Sequence, residues 1–244
     1  MNLRDRLGYM FSHSNLLRLA SYMAYRYIRT YLLEVMIQKE DRISELLLAP
    51  SEDVSKVFDE LNSLRLDDSI FRRTIQMRGW WTIGSMDTPA RGPLLYVLCR
   101  LMKPKVVIET GVAAGVSSFY MLEALHRNRE GHLYSIDYPD PSTRLPTGWL
   151  VSYALRDRWT LTLGKSSVKL KPALEDTSLV DLFLHDSDHS YRNMMFEFRT
   201  AWPYIRKGGL LLSDDTNVNR SFSDFSEEVD RKPVRFYGLG AIRK

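Results

Sequence analysis

The sequence predicts an α/β fold: a doubly wound, mostly parallel sheet of seven strands preceded by an N-terminal helical extension. From about residue 105 onward, short apolar runs alternate with helical patterns, as expected for strands that helices cover on both faces. The closing segment PVRFYGLGAIRK is typical of two edge strands that turn near Gly238 to Gly240. The first 80 residues, in contrast, show helical patterns and no strand signals.

Composition indicates an ordinary globular protein and argues against several function classes. The 244 residues are 44% hydrophobic and 26% charged, and the formal net charge is +4. Because the lysines and arginines are scattered among acids, we expect no nucleic-acid partner. The single cysteine, Cys99, lies in an apolar helical pattern and we interpret it as a core residue. The chain shows no secretory signal pattern, so we expect a cytoplasmic location.

We assign residues 1–80 to the helical extension and residues 81–244 to the main domain. Residues 15–38 are the most apolar long segment, but Arg18, Arg26 and Arg29 interrupt it, so we predict no membrane span. Its apolar stripe at helical spacing predicts a helix that packs on the main domain or on a second subunit of a homo-oligomer. Peripheral contact with a membrane surface is the alternative.

The elements of the main domain follow in order. A helix over residues 87–104 ends at Pro104. The extension before it contains a helix around residues 51–64, with Asp53 and Ser55 as candidate caps. The five strand predictions share a short, apolar character and are Val106 to Glu109, Leu133 to Asp137, Thr160 to Leu163, Val180 to Leu184 and Leu210 to Ser213.

The loop after the first predicted strand has the features of a cofactor loop. It reads ETGVAAGVSS over residues 109–118. Glycines allow close approach of a ligand to the backbone, and the following helix N-terminus favours negative charge. Its spacing differs from the G-x-G-x-x-G of nicotinamide-binding loops. Asp137 ends the second strand, where it is placed to accept hydrogen bonds from ribose hydroxyls; a role as a turn former is the alternative.

Five segments together resemble the successive motifs of class I S-adenosylmethionine-dependent methyltransferases. The segments are VVIETGVAAGVSSF, LYSIDYP, LTLGKSS, VDLFLHDSDHSY and RKGGLLLSDD. More narrowly, they are similar to the cation-dependent O-methyltransferases typified by catechol O-methyltransferase and macrolide-sugar O-methyltransferases. The resemblance covers about residues 85–244 and implies a Rossmann-like sheet with S-adenosylmethionine as the methyl donor.

The resemblance also implies roles for individual residues around the methyl donor. It places Glu109, Gly111 and Gly115 along the methionine and ribose part, and Ser117 near the methionine carboxylate. Asp137 would hold the ribose hydroxyls. Ser166 would lie beside adenine, and Met86 would belong to a lid over the cofactor.

The stretch VDLFLHDSDHSY implies a metal site through the same resemblance. Asp186, directly after the fourth strand, would bind a divalent cation together with Asp214 and Asp215 after the fifth strand. Such hard oxygen ligands suit Mg²⁺ or Mn²⁺. The family places its general base three residues after the first metal aspartate, which here is His189. For His185 we favour a buried core residue over a metal ligand, and for Asp188 a helix cap over a residue that orients His189.

We therefore predict a metal-assisted O-methyltransferase that acts on a hydroxyl of a sugar, a sugar-bearing natural product or a glycan. Its catalytic residues would be His189 and Asp186. A phenol or catechol acceptor is an alternative. Two further alternatives are a hydroxylase-like protein of the same fold and a module for membrane-surface assembly that does not transfer methyl groups.

Overall fold

The computed structural model describes residues 40–64, 66, 69–70, 91–139, 141, 145–236 and 239–244. The predicted helix over residues 15–38 and the lid residue Met86 lie outside this part of the chain. So does residue 80, where we divided extension from main domain. The division, the homo-oligomer and the membrane-surface contact therefore stay predictions. Among the described residues, no helix is long and apolar enough to cross a membrane.

The seven-stranded sheet confirms the predicted fold class. Its strands are β1 (Val106–Thr110), β2 (His132–Asp137), β3 (Trp159–Leu163), β4 (Val180–His185), β5 (Ile205–Ser213), β6 (Val234–Phe236) and β7 (Leu239–Arg243). They lie in the order β3-β2-β1-β4-β5-β7-β6. Strands β1 to β5 pair in parallel, while β7 pairs antiparallel with both β5 and β6. Strand β5 begins five residues before the predicted start: Ile205 pairs with Val180, and a register shift against β4 accommodates Arg206 to Gly209.

Seven α-helices surround or precede the sheet in the described part of the chain. They are α1 (Glu40–Leu47), α2 (Ser51–Leu64), α3 (Arg91–Met102), α4 (Val116–Asn128), α5 (Ser166–Thr177), α6 (Tyr191–Ala201) and α7 (Ser221–Glu228). Helix α2 begins at Ser51, so the expectation that Asp53 and Ser55 cap it was wrong: both lie inside the helix. Pro50 directly precedes the helix, and its carbonyl accepts hydrogen bonds from the backbone N–H groups of Asp53 and Val54 in the first turn.

Two hydrophobic cores lie on the two faces of the sheet, as the doubly wound pattern requires. Alternate residues of β1 belong to different cores: Val107 packs on the side of α3 and α4, and Ile108 packs on the side of α5 and α6. The described N-terminal helices belong to the first core, since Phe58 and Leu61 of α2 are fully buried in it. Cys99 is buried in the same core, which confirms its predicted place.

Candidate active site

A cleft of about 490 Å³ opens at the carboxyl ends of the parallel strands. This is the edge at which open α/β sheets bind ligands. Its wall includes Gly111 after β1, Asp137 at the end of β2, Ser166 at the start of α5 and Asp186 after β4. Four of the residues predicted at strand ends therefore share one cavity.

The glycine loop after β1 is pressed against the end of β4. Gly111 has a φ of +84°, and a Cβ atom there would lie 1.9 Å from the backbone oxygen of Asp186. Gly115 has a φ of +90°, and its Cβ would come within 2.9 Å of the Cα of Gly148. Only glycine tolerates both a left-handed backbone and such close contacts, so this loop conformation requires glycine at positions 111 and 115. Gly111 lines the cleft, whereas Gly115 supports the loop from behind.

Glu109 lies inside the domain beneath this loop. Its side chain is fully buried and accepts hydrogen bonds from the hydroxyls of Ser117, Ser118 (2.6 Å) and Ser135 (2.8 Å). Burial raises its pKa to about 7 although the three hydroxyls oppose the rise. Glu109 thus ties the start of α4 to β1 and β2, and its predicted contact with a methyl donor stays a prediction. Ser117 lines a separate small cavity shared with Asp186 and Asp214.

Asp137 and Ser166 both lie on the wall of the main cleft. The carboxylate of Asp137 accepts hydrogen bonds from the backbone N–H of Val112 (3.2 Å) and from Thr147 Oγ1 (3.0 Å). It therefore holds two loops in place at the same point where it faces the cavity. Each of its oxygens has a second lone pair, so it can also accept from a ligand hydroxyl.

Asp186, His189 and Asp214 come together from the ends of β4 and β5. One ligand atom from each lies within 4.8 Å of the others. Asp215, which we predicted as the third metal ligand, lies outside this group. Its carboxylate is instead 3.8 Å from His189 Nε2, and its backbone is left-handed, with a φ of +49°.

The environment of Asp214 and His189 fits a bound cation. Asp214 forms an ion pair with Arg91 through Oδ2, while its buried Oδ1 has no hydrogen-bond partner among the described residues. The buried Nδ1 of His189 likewise lacks a partner within that part of the chain. Buried polar atoms without partners are costly, and a cation held by Asp186 and Asp214 would satisfy this carboxylate oxygen. Arg91 therefore neutralises one oxygen and leaves the other for a ligand.

His189 is poised to act as a base near neutral pH. Its pKa lies below the ordinary value of 6.5, chiefly because the ring is partly buried and also because His185 lies close by. The two rings meet edge to face with centroids 5.3 Å apart. A neutral imidazole at pH 7 can accept a proton.

Known proteins are similar to parts of this chain. A family model described as a methyltransferase domain matches residues 108–216. This match covers somewhat less than half of the chain. A protein from Mycobacterium sp. (strain JLS), provisionally named as an O-methyltransferase, is 32% identical over 101 residues, which are 41% of this chain and 44% of the relative. A similarly named protein from Mycobacteroides abscessus is 32% identical over 100 residues and is matched over 45% of its length. The match thus spans less than half of these curated relatives.

Two solved structures have a fold similar to that of this chain. The SAH-bound methyltransferase PaMTH1 of Podospora anserina has a TM-score of 0.55 at 16% identity, with 72% of this chain and 87% of that chain covered. An O-methyltransferase of Bacillus cereus, also in complex with SAH, has a TM-score of 0.53 at 14% identity, with 87% and 100% covered. The predicted resemblance to S-adenosylmethionine-dependent O-methyltransferases is confirmed.

One buried group within the matched segment, Glu197 on α6, was not predicted from the sequence. It is fully buried, and its oxygens accept hydrogen bonds from Thr110, His185, Ser187 and Asn193. His185, also fully buried, is thus the core residue that we favoured. Asp188 accepts from the backbone and hydroxyl of Ser190, which itself caps α6. The apolar helical pattern around Glu197 offered a weak signal: a lone acid on the buried face of an amphipathic helix.

Proposed function

We propose that this chain is a divalent-metal-assisted O-methyltransferase that uses S-adenosylmethionine and acts on a hydroxyl of a sugar, a sugar-bearing natural product or a glycan. One observation carries the proposal. A cleft lined by Gly111, Asp137 and Ser166 adjoins the cluster of Asp186, His189 and Asp214 at the same sheet edge. Methyl transfer to oxygen needs a donor site and a deprotonation site side by side.

The donor would occupy the main cleft. Asp137 is placed to accept the ribose hydroxyls, and Ser166 at the start of α5 borders the region proposed for adenine. Gly111 gives the donor close access to the backbone. S-adenosylmethionine would supply an electrophilic methyl group on sulfonium.

Asp186 and Asp214 would hold a magnesium or manganese ion, with Asp215 reaching it through water or a shift of its exposed side chain. The carboxylates of Asp186, Asp214 and Asp215 carry three negative charges, and the guanidinium of Arg91 offsets one of them. The remaining two negative charges match a divalent cation. The cation would lower the pKa of the acceptor hydroxyl and orient it.

His189 would take the proton from that hydroxyl. An alcohol near the pKa of water, about 15.7, is roughly 9 units above a histidine, or about 12 kcal/mol. For a phenol near 10 the gap is only about 3.5 units, or about 5 kcal/mol. Histidine alone cannot deprotonate an alcohol. Methyl transfer to an alcohol would therefore need the carboxylates that hold the cation as well as the base.

The acceptor class rests on the resemblance, because sugar-modifying members of the family carry histidine where the catechol enzymes carry lysine. A phenol or catechol remains the alternative acceptor, and the smaller pKa gap allows it. A panel of glycosides and catechols with labelled S-adenosylmethionine separates the two classes.

Asp186→Asn tests the proposal, with the exposed Asp176 of α5 as a matched control. We expect Asp186→Asn and chelation by EDTA each to lower methyl transfer by 100-fold or more, and Asp176→Asn to leave it unchanged. Full transfer in the presence of EDTA would refute the metal part. The absence of transfer to either acceptor class, in protein shown to bind S-adenosylmethionine, would refute the acceptor part.

A further inference from the structure

We propose that Glu197 is a positioning residue that fixes Asp186 relative to the glycine loop after β1. The inference deepens the proposed function and rests on it, because Asp186 is there a cation ligand and the loop binds the methyl donor. Glu197 lies on α6 and would touch neither the cation nor the donor. It would set the distance between them through its neighbours.

Three of these hydrogen bonds of Glu197 join it to the ends of β1 and β4, and the fourth comes from Asn193, one turn earlier on α6. Oε2 accepts from Thr110 Oγ1 at 2.5 Å and lies 2.6 Å from His185 Nδ1. Oε1 accepts from Ser187 Oγ at 2.7 Å and from Asn193 Nδ2 at 3.1 Å. Thr110 immediately precedes Gly111, whereas His185 and Ser187 flank Asp186 on both sides.

Backbone contacts make the same connection. The N–H of Asp186 donates to the carbonyl of Thr110 at 2.8 Å. The Cα of Gly111 packs so closely on Asp186 that a Cβ would collide with its carbonyl oxygen. A carboxylate bonded to Thr110, His185 and Ser187 therefore restrains both sides of this contact at once. Loss of its bonds would free the Asp186 segment to rotate away from Asp214.

The chemistry of the site favours this role over simple packing. Glu197 is fully buried, and within the described residues its one ion-pair partner is His185. Burial of a carboxylate is expensive, whereas an apolar side chain would fill the same volume at no such cost. Partners outside the ligand shell commonly orient metal ligands, and their loss costs about 10–100-fold in metal affinity or activity.

The test compares Mn²⁺ binding by the full chain and four variants: Glu197→Gln, Ser187→Ala, the double variant of these two, and a control. Electron paramagnetic resonance of free Mn²⁺ follows the binding. Glu197→Gln keeps the shape and removes the charge. Ser187→Ala removes one hydrogen bond to the carboxylate of Glu197. It provides the test if Glu197→Gln does not fold. Glu175→Gln on α5 is the matched control, since its side chain is exposed. Calorimetry with S-adenosylhomocysteine reports on the donor loop separately.

We expect Glu197→Gln to weaken Mn²⁺ binding by about 10–100-fold and Ser187→Ala by a smaller factor in the same direction. The double variant should bind no more weakly than Glu197→Gln alone, since both changes break one contact. Affinity for S-adenosylhomocysteine should change less than threefold, because Glu109 holds the donor loop independently. A purely structural role would lower the unfolding temperature without this selective loss of metal.

Two results would overturn the inference, and they differ in what else they overturn. Unchanged Mn²⁺ affinity in folded Glu197→Gln, or in Ser187→Ala if only that variant folds, would refute the role of Glu197 and leave the proposed function intact. Absence of Mn²⁺ binding in the unsubstituted chain would refute the metal site, and the role of Glu197 with it.

Discussion

Replacement of Gly111 by alanine tests whether the glycine loop and the end of β4 are packed as tightly as the structure has them. The φ of +84° alone costs an L-residue about 1–2 kcal/mol. A Cβ at 1.9 Å from the carbonyl oxygen of Asp186 must in addition push β4 and β1 apart, because backbone cannot rotate aside. Overpacking of this kind adds about 1–3 kcal/mol. The total is about 2–5 kcal/mol, which lowers the unfolding temperature by about 5–15 °C in a domain of this size.

Gly208→Ala is the matched control for Gly111→Ala. Gly208 has nearly the same backbone angle, +79°, but its added Cβ would find its nearest neighbour, the flexible Arg206 side chain, at 3.4 Å. It should show only the backbone cost, about 2–8 °C. Differential scanning calorimetry measures both variants, and titration with S-adenosylhomocysteine should show at least tenfold weaker binding for Gly111→Ala alone. Equal melting of the two variants with unchanged ligand affinity would refute the reasoning.

Three further predictions concern charge. Because the pKa of His189 lies below its ordinary value, methyl transfer should hold as the pH falls to 6.5 and decline only at more acidic pH, and His189→Gln should abolish this acid limb in a pH–rate profile. Folding raises the pKa of Glu109 from 4.5 to about 7, so the protonated side chain favours the folded state. This contribution to stability is full below pH 4.5 and is lost as the pH rises through about 7. Denaturant titrations should therefore show the stability of the native protein falling by about 3 kcal/mol relative to Glu109→Gln between pH 5 and 8; parallel curves would contradict this. Arg91→Met breaks a largely buried ion pair with Asp214 and should cost about 3–5 kcal/mol without metal. Mn²⁺ should restore more stability to this variant than to the native protein, and equal shifts in unfolding temperature would count against a shared carboxylate.

The strand ends could be predicted from the sequence because strands that are buried on both faces are continuous apolar runs. An apolar run that stops at an acid, as at Asp137 and Asp186, indicates both the strand and the edge where it ends. The two glycines were predictable for the same kind of reason, since their spacing before a helix indicates a tight loop. The resemblance then joined these separate signals into one site.

Other parts of the site depend on contacts between residues far apart in the chain. The bond from Arg91 to Asp214 and the bonds from Thr110 to Glu197 join distant segments, and no local pattern encodes them. The left-handed backbone of Asp215 and the approach of its carboxylate to His189 are also invisible in a strand-end pattern, and its role as a metal ligand stays a prediction.

Titration of S-adenosylhomocysteine into the full chain, followed by calorimetry, tests the central claim most directly. We expect micromolar binding that Asp137→Asn weakens by about 10–100-fold, the worth of a hydrogen bond to a charged group, while Asp176→Asn leaves it unchanged. If the folded protein bound no S-adenosylhomocysteine, the proposal that this cleft holds a methyl donor would be contradicted.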